Sequence, residues 1–120
     1  MLTENDIARI AGRVAGKFAP LAVGIFGSYA IGTAHERSDL DLFVIRDPDA
    51  PSPRDGSAVR WFLASVMHPL DIHVFAAAEF EAAVGEAHSF AAHIAQQARL
   101  YHCAEGVRRH VPSLFILARS

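Results

Sequence analysis

Cysteine is almost absent from this chain, and basic residues do not outnumber acidic ones. Cys103 is the single cysteine in 120 residues, which excludes an intramolecular disulfide and a cysteine-based zinc site. The 11 Lys and Arg against 13 Asp and Glu give a formal charge of -2, whereas a dominant nucleic-acid surface is normally basic. We therefore expect no nucleic-acid partner.

Long apolar runs are also missing. No stretch reaches the length of about 18 apolar residues that a membrane-spanning helix needs, so we expect no membrane span. The segment 1–6 carries acids where a signal peptide would carry basic residues. The cytoplasm is the location we expect.

Length and composition favour a single globular domain. A chain of 120 residues suits one domain, and 52% hydrophobic against 20% charged residues excludes both a disordered chain and a coiled coil. We assign residues 1–120 to one domain, with a core over about 1–105 and a C-terminal tail over 106–120.

Helical and strand-like patterns alternate along the chain. Thr3 is a predicted cap for a helix that Pro20 ends. The other predicted elements are a strand over 21–26, a turn or short helix over 28–33, a strand over 39–45, a loop over 46–57, a helix over 58–67, a strand over 70–75, and helices over 79–84 and 88–103. This interleaving predicts an α/β or α+β fold with a small mixed sheet flanked by helices.

Three aspartates stand in apolar strands, where an unpaired carboxylate is costly. Asp39 and Asp41 share one face of a predicted strand, about 6 to 7 Å apart, and Asp71 holds a similar place in a later strand beside His73. Like charges at that distance repel each other, so Mg²⁺ bound between them is favoured, as one ion or two. For the Asp39–Asp41 pair alone, a solvated edge strand is an equal alternative. His73 either contacts this site or only forms a structural hydrogen bond.

The turn after the first strand suits phosphate binding. Gly27 allows a ligand close to the backbone, and the following amides, with the Ser28 hydroxyl, can hold phosphate oxygens. A tight connection between a strand and a helix, with no ligand, is the alternative for the same residues.

These segments together resemble a known family. Gly27-Ser28, ten further residues, Asp39-Leu40-Asp41-Leu42 and a later Asp71 resemble the nucleotidyltransferase superfamily with the polymerase-beta-like fold, and within it the minimal nucleotidyltransferases. The strongest part of the motif spans 24–45, and the resemblance covers about 1–105.

The resemblance implies a role for each matching residue. Gly27 and Ser28 would contact the triphosphate of ATP or another nucleoside triphosphate. Asp39, Asp41 and Asp71 would hold two Mg²⁺ ions, and Asp71 would also help to deprotonate the attacking hydroxyl. The implied reaction moves a nucleoside monophosphate, AMP from ATP, onto a hydroxyl acceptor and releases pyrophosphate.

The resemblance also implies a partner. Minimal nucleotidyltransferases often act as antitoxins beside HEPN-type ribonuclease toxins and attach AMP to a toxin tyrosine; a homodimer that modifies a small molecule is the alternative. Ile31 stands where the family often carries Arg, and Arg37, Arg46 and Arg54 are the candidates to replace that charge. Ile31 favours a second hypothesis, a catalytically weak or inactive module that acts as an antitoxin or regulator by contact.

Overall fold

Helices and strands alternate along the chain in the computed structural model, which describes residues 1–50 and 55–119, and side chains as far as 116. Within these residues the elements are α1 (Glu4–Phe18), β1 (Ala22–Phe26), α2 (Ser28–Ile31), β2 (Leu40–Arg46), α3 (Gly56–Phe62), β3 (Leu70–Ala76), α4 (Ala77–Val84), α5 (Phe90–Gln97), β4 (Arg99–Cys103), α6 (Val107–His110) and α7 (Pro112–Arg119). None of these helices has the length and apolar character needed to cross a membrane. The predicted loop over 46–57 lies in part outside the described residues.

The four strands form one mixed sheet in the order β3-β2-β1-β4. β1 runs antiparallel to both of its neighbours, β2 and β4, whereas β2 and β3 run parallel. Helices pack on both faces of this sheet. The prediction of an α/β fold with a small mixed sheet flanked by helices is therefore confirmed.

The core is divided by the sheet into two apolar layers. Alternate residues of β2 serve the two layers, so that Leu42 faces one and Phe43 faces the other, and both are fully buried. The layer of Leu42 is covered by α1 and α3, and the layer of Phe43 by α4 to α7. Asp41 belongs by this alternation to the face of Phe43, the one that α5 covers.

The first helix is fixed at both ends by the residues that the sequence indicates. Thr3 and Asp6 form a reciprocal capping box, with hydrogen bonds of 2.8 and 3.1 Å. The Thr3 backbone N–H donates to the Asp6 carboxylate and lowers the pKa of Asp6. The helix ends at Phe18, before Pro20, which confirms the predicted helix.

The predicted helix over 88–103 is wrong in its second half. The helix α5 ends at Gln97, Ala98 turns to an extended conformation with ψ 137°, and Arg99–Cys103 forms β4. β1 is fully buried, so its backbone groups need hydrogen-bond partners on both sides, and β4 supplies the second side. This tertiary requirement overrides the helical spacing of the apolar residues. The predicted helix over 58–67 is also shorter in the structure, Gly56–Phe62, with Asp55 as its cap.

The strand β4 is also joined to the start of α1. The Tyr101 hydroxyl donates to Glu4 Oε1 at 2.6 Å, and Arg99 Nη2 lies 2.9 Å from the same oxygen. Burial of the ring, followed by this hydrogen bond, raises the pKa of Tyr101 to about 12. The last strand and the first helix therefore hold each other in place.

Candidate functional site

The parallel pairing of β2 and β3 brings two of the three aspartates side by side. Asp41 and Asp71 are direct partners in the register, each as the second residue of its strand. Asp39 immediately precedes β2 and is exposed, as is Asp71, whereas Asp41 is half-buried. All three lie at the end of the sheet where β2 and β3 begin, and we call this group of three aspartates the acidic edge.

Asp41 is the aspartate of this group whose ionisation is disfavoured by its surroundings. Its pKa is raised, first because burial penalises the charged carboxylate, and then because Asp71 and Asp39 are negatively charged neighbours. His73 acts in the opposite direction. A set of carboxylate oxygens that repel one another suits a hard divalent cation such as Mg²⁺, which would relieve that repulsion.

His73 lies against Asp71 and is held there by aromatic rings. Its Nε2 is 3.1 Å from Asp71 Oδ2, although the two atoms are not aligned as a hydrogen bond and that nitrogen has no other partner within the described residues. The imidazole packs against Phe26 at 5.5 Å and Phe90 at 5.0 Å between ring centroids. The structure therefore places His73 in contact with Asp71, and a role for His73 in binding metal or nucleotide stays a prediction.

Gly27 is in direct contact with the carboxylate of Asp41. Its backbone has φ 72° and ψ -157°, a region that glycine alone occupies readily, and a Cβ at this position would overlap Asp41 Oδ2. The same residue caps α2, which begins at Ser28. The turn predicted to bind phosphate therefore lies against the carboxylates predicted to bind metal.

Gln97 holds this turn and was not found from the sequence. Its Oε1 accepts a hydrogen bond of 3.0 Å from the Gly27 N–H, across 70 positions of the chain. No local pattern marks it, because the contact depends on α5 lying over the end of β1. Gln97 is a positioning residue for the turn.

We expect Gln97→Ala to destabilise the free protein by about 1 kcal/mol, because the half-buried Gly27 N–H loses its acceptor. Gln96→Ala is the matched control, since Gln96 is the exposed neighbour on the same helix. Denaturant unfolding of both variants measures the difference. Equal stability of the two would show that the Gln97 bond contributes nothing to the turn.

A second group of metal-ligating side chains lies elsewhere. Within the described residues, Asp47, Asp49 and His110 form the one trio whose ligand atoms all lie within 4.8 Å of one another, so the three aspartates of the edge are more widely spread. His110 Nε2 is 3.2 Å from Asp49 Oδ2. Asp47 follows the far end of β2, about 20 Å from Asp41 along the strand. This trio joins α6 to the loop after β2 and is separate from the candidate site.

Ile31 ends α2 with 53% of its surface exposed. Three arginines are predicted candidates to replace the positive charge that the family often carries at this position. The prediction is wrong for Arg46, because Arg46 ends β2 about 17 Å along the strand from Asp41. Arg37 is exposed in the loop before Asp39, and Arg54 lies outside the described residues.

Several solved structures share this fold. A crystal structure of a toxin–antitoxin with AMP-PNP aligns over 98% of this chain and 89% of its own, at 18% identity and a TM-score of 0.55. A mutant of the toxin–antitoxin MntA–HpeT aligns over 99% and 89%, at 19% identity and 0.53. A proposed nucleotidyltransferase from Sulfolobus solfataricus aligns over 82% and 78%, at 20% identity and 0.52. At identities this low, the similarity shows a shared fold and nothing more.

Comparison at the level of sequence families gives the assignment. No curated protein matches the chain. The family model of the nucleotidyltransferase domain matches residues 7–101, which include the glycine turn and all three aspartates. This chain belongs to the nucleotidyltransferase domain family.

Proposed function

We propose that this protein transfers AMP from ATP to a hydroxyl acceptor in a reaction that depends on Mg²⁺ and releases pyrophosphate. The observation that supports the proposal best is the contact between Gly27 and the Asp41 carboxylate, because the turn predicted to bind phosphate lies there against the acids predicted to bind metal. Membership of the nucleotidyltransferase family supports the class of reaction.

The residues divide the work by their position and exposure. Gly27 and Ser28 would hold the triphosphate, and Asp39, Asp41 and Asp71 would hold two Mg²⁺ ions. When bound, these ions would neutralise negative charge on the phosphates. Half-buried Asp41 lies against the turn, whereas the Asp71 side chain is 50% exposed and would accept the proton of an approaching hydroxyl.

The proposed acceptor is a tyrosine of a HEPN-type toxin, and the protein would act as its antitoxin. Asp39 and Asp71 are exposed, so the site is open to an acceptor carried on another protein. The fold is shared with toxin–antitoxin structures, one of which contains AMP-PNP. These observations favour a protein acceptor over a small molecule modified by a homodimer.

A module that neutralises its partner by contact alone is the second candidate. The exposed Ile31 supports it, because a positive charge that the family often places near the phosphates is replaced by an apolar side chain. The three clustered aspartates support the enzyme, because a protein that binds no cation would gain stability by losing their mutual repulsion.

The test is AMP transfer from α-labelled ATP to a HEPN-type toxin with and without Mg²⁺. We expect label on a toxin tyrosine, none without Mg²⁺, and none with the double variant Asp39→Asn/Asp41→Asn. A toxin whose tyrosine is replaced by phenylalanine is the acceptor control. Unlabelled toxin that is neutralised equally by wild type and double variant would establish the contact mechanism and exclude the enzyme.

A further inference from the structure

A cleft of about 450 Å³ runs along α5 and is lined in part by Phe90, the first residue of that helix. Resting on the proposed function, we infer that this cleft binds the nucleobase of the nucleotide, with the Phe90 ring as the surface on which the base stacks. The residues that line the cleft are His88, Ser89, Phe90, Ala92, His93 and Gln96.

The course of α5 places the cleft beside both halves of the candidate site. At its start, the Phe90 ring lies 5.0 Å from the ring of His73, which contacts Asp71. At its end, Gln97 accepts the hydrogen bond from Gly27. Phe90 and Gln97 are about two helical turns apart and share one face, and His93 lies between them towards the cleft. If the phosphates of a nucleotide lie at Gly27 and the aspartates, its nucleoside lies next to α5 and the cleft.

The Phe90 ring is packed against other aromatic rings and is also partly exposed to solvent. Edge contacts hold its ring against Phe26 at 5.7 Å and His73 at 5.0 Å, and Phe75 lies at 6.2 Å. The residue is nevertheless 47% exposed. A ring that is already immobilised loses little freedom when a planar ligand stacks on it, which favours binding.

The other lining residues fit a heteroaromatic base better than a phosphate. None of the six carries a carboxylate, an ammonium or a guanidinium group. The Ser89 hydroxyl is already used, because it donates to Ala83 O and accepts from Ala92 N. His88, His93 and Gln96 are exposed and present ring nitrogens and an amide that can bond to the edge of a base. The volume falls within the range of about 300 to 1,000 Å³ that is typical of ligand sites.

The test compares the affinity for a non-hydrolysable ATP analogue with the affinity for inorganic tripolyphosphate, both with Mg²⁺, by calorimetry. The ratio of the two dissociation constants isolates what the nucleoside contributes. We expect Phe90→Ala to weaken binding of the ATP analogue by about tenfold, as base stacking on an aromatic side chain requires, and to leave tripolyphosphate unchanged. Phe90→Trp should retain the wild-type ratio, and Phe90→Leu, which keeps apolar volume without the ring, should not.

Trp61→Ala is the matched control, because Trp61 is 85% exposed on α3, which covers the opposite face of the sheet. Its ratio should equal that of the wild type. An unchanged ratio in Phe90→Ala, or equal loss of both ligands, would overturn the assignment of the cleft. If the wild type binds tripolyphosphate but gains nothing from the nucleoside, the cleft assignment alone fails. If it binds neither ligand, the proposed function fails as well.

Discussion

Asp41→Asn abolishes AMP transfer and at the same time makes the free protein more stable; this is the expected result of removing the charge at the centre of the acidic edge. Transfer should fall by about 10³-fold or more, because charge stabilisation by bound metal is worth several kcal/mol in such reactions. Stability should rise because the folded protein loses a half-buried carboxylate that Asp71 and Asp39 repel.

The same cause sets a pH dependence. The pKa of Asp41 is raised in the folded protein, so its contribution to stability is greatest below the ordinary aspartate value of about 4 and is lost as the pH rises through the raised value. The Asn variant lacks this decline. Its advantage over the wild type should therefore grow with pH across that window and stay constant above it.

Thermal unfolding in EDTA, repeated across this pH range, measures both effects. The gain at neutral pH should be a few degrees, since a half-exposed charge is partly screened by solvent. Glu105→Gln, which removes an exposed carboxylate outside the site, should leave the melting temperature unchanged. Added Mg²⁺ should stabilise the wild type and not Asp41→Asn. A variant that is less stable than the wild type, or one that still transfers AMP, would contradict this account of the edge.

Of the single substitutions in the site, we expect Gly27→Ala to be the most damaging to stability and AMP transfer. The backbone of Gly27, at φ 72° and ψ -157°, costs about 1 to 3 kcal/mol for any residue with a Cβ. The added methyl would also overlap the Asp41 carboxylate, so either the turn or the carboxylate must move. We expect the free energy of unfolding to fall by at least the backbone cost, and transfer to become undetectable.

Gly32→Ala is the control for backbone strain alone. Gly32 also has a positive φ of 83°, but no described residue has an atom within 4 Å of the position that the Gly32 Cβ would take. Its Ala variant should lose about 1 kcal/mol of stability and keep its transfer activity. Activity assays and denaturant unfolding of the two variants separate strain from collision. Retention of activity by Gly27→Ala would show that the turn does not need to lie against Asp41.

The sequence predicts the parts of this molecule that depend on local periodicity. Alternation along β2 assigns Leu42 and Phe43 to opposite layers, and the same alternation puts Asp41 and Asp71 on one face of the sheet. That the glycine turn touches one of those carboxylates follows only from the pairing of Phe26 with Asp41 in neighbouring strands. The roles of these residues in binding stay predictions.

The features that could not be predicted from the sequence depend on contacts with residues far away along the chain. The apolar residues over 88–103 have helical spacing, and nothing within that segment shows that β1 needs a partner on its free edge. Gln97 is missed for the same reason, since its partner Gly27 lies on a different element. The fit of His110 to Asp49 depends likewise on where α6 packs.

The position of β4 as the last strand also orders the assembly of the protein in time. While the chain emerges from the ribosome, β1 has an uncovered edge until residues 99–103 arrive, and an uncovered edge can pair with another chain. The glycine turn lies near the N-terminus, but its hydrogen bond to Gln97 can form only after residue 97 has been synthesised. In a nascent chain, the turn therefore lacks this hydrogen bond until three of the four strands of the sheet have been synthesised.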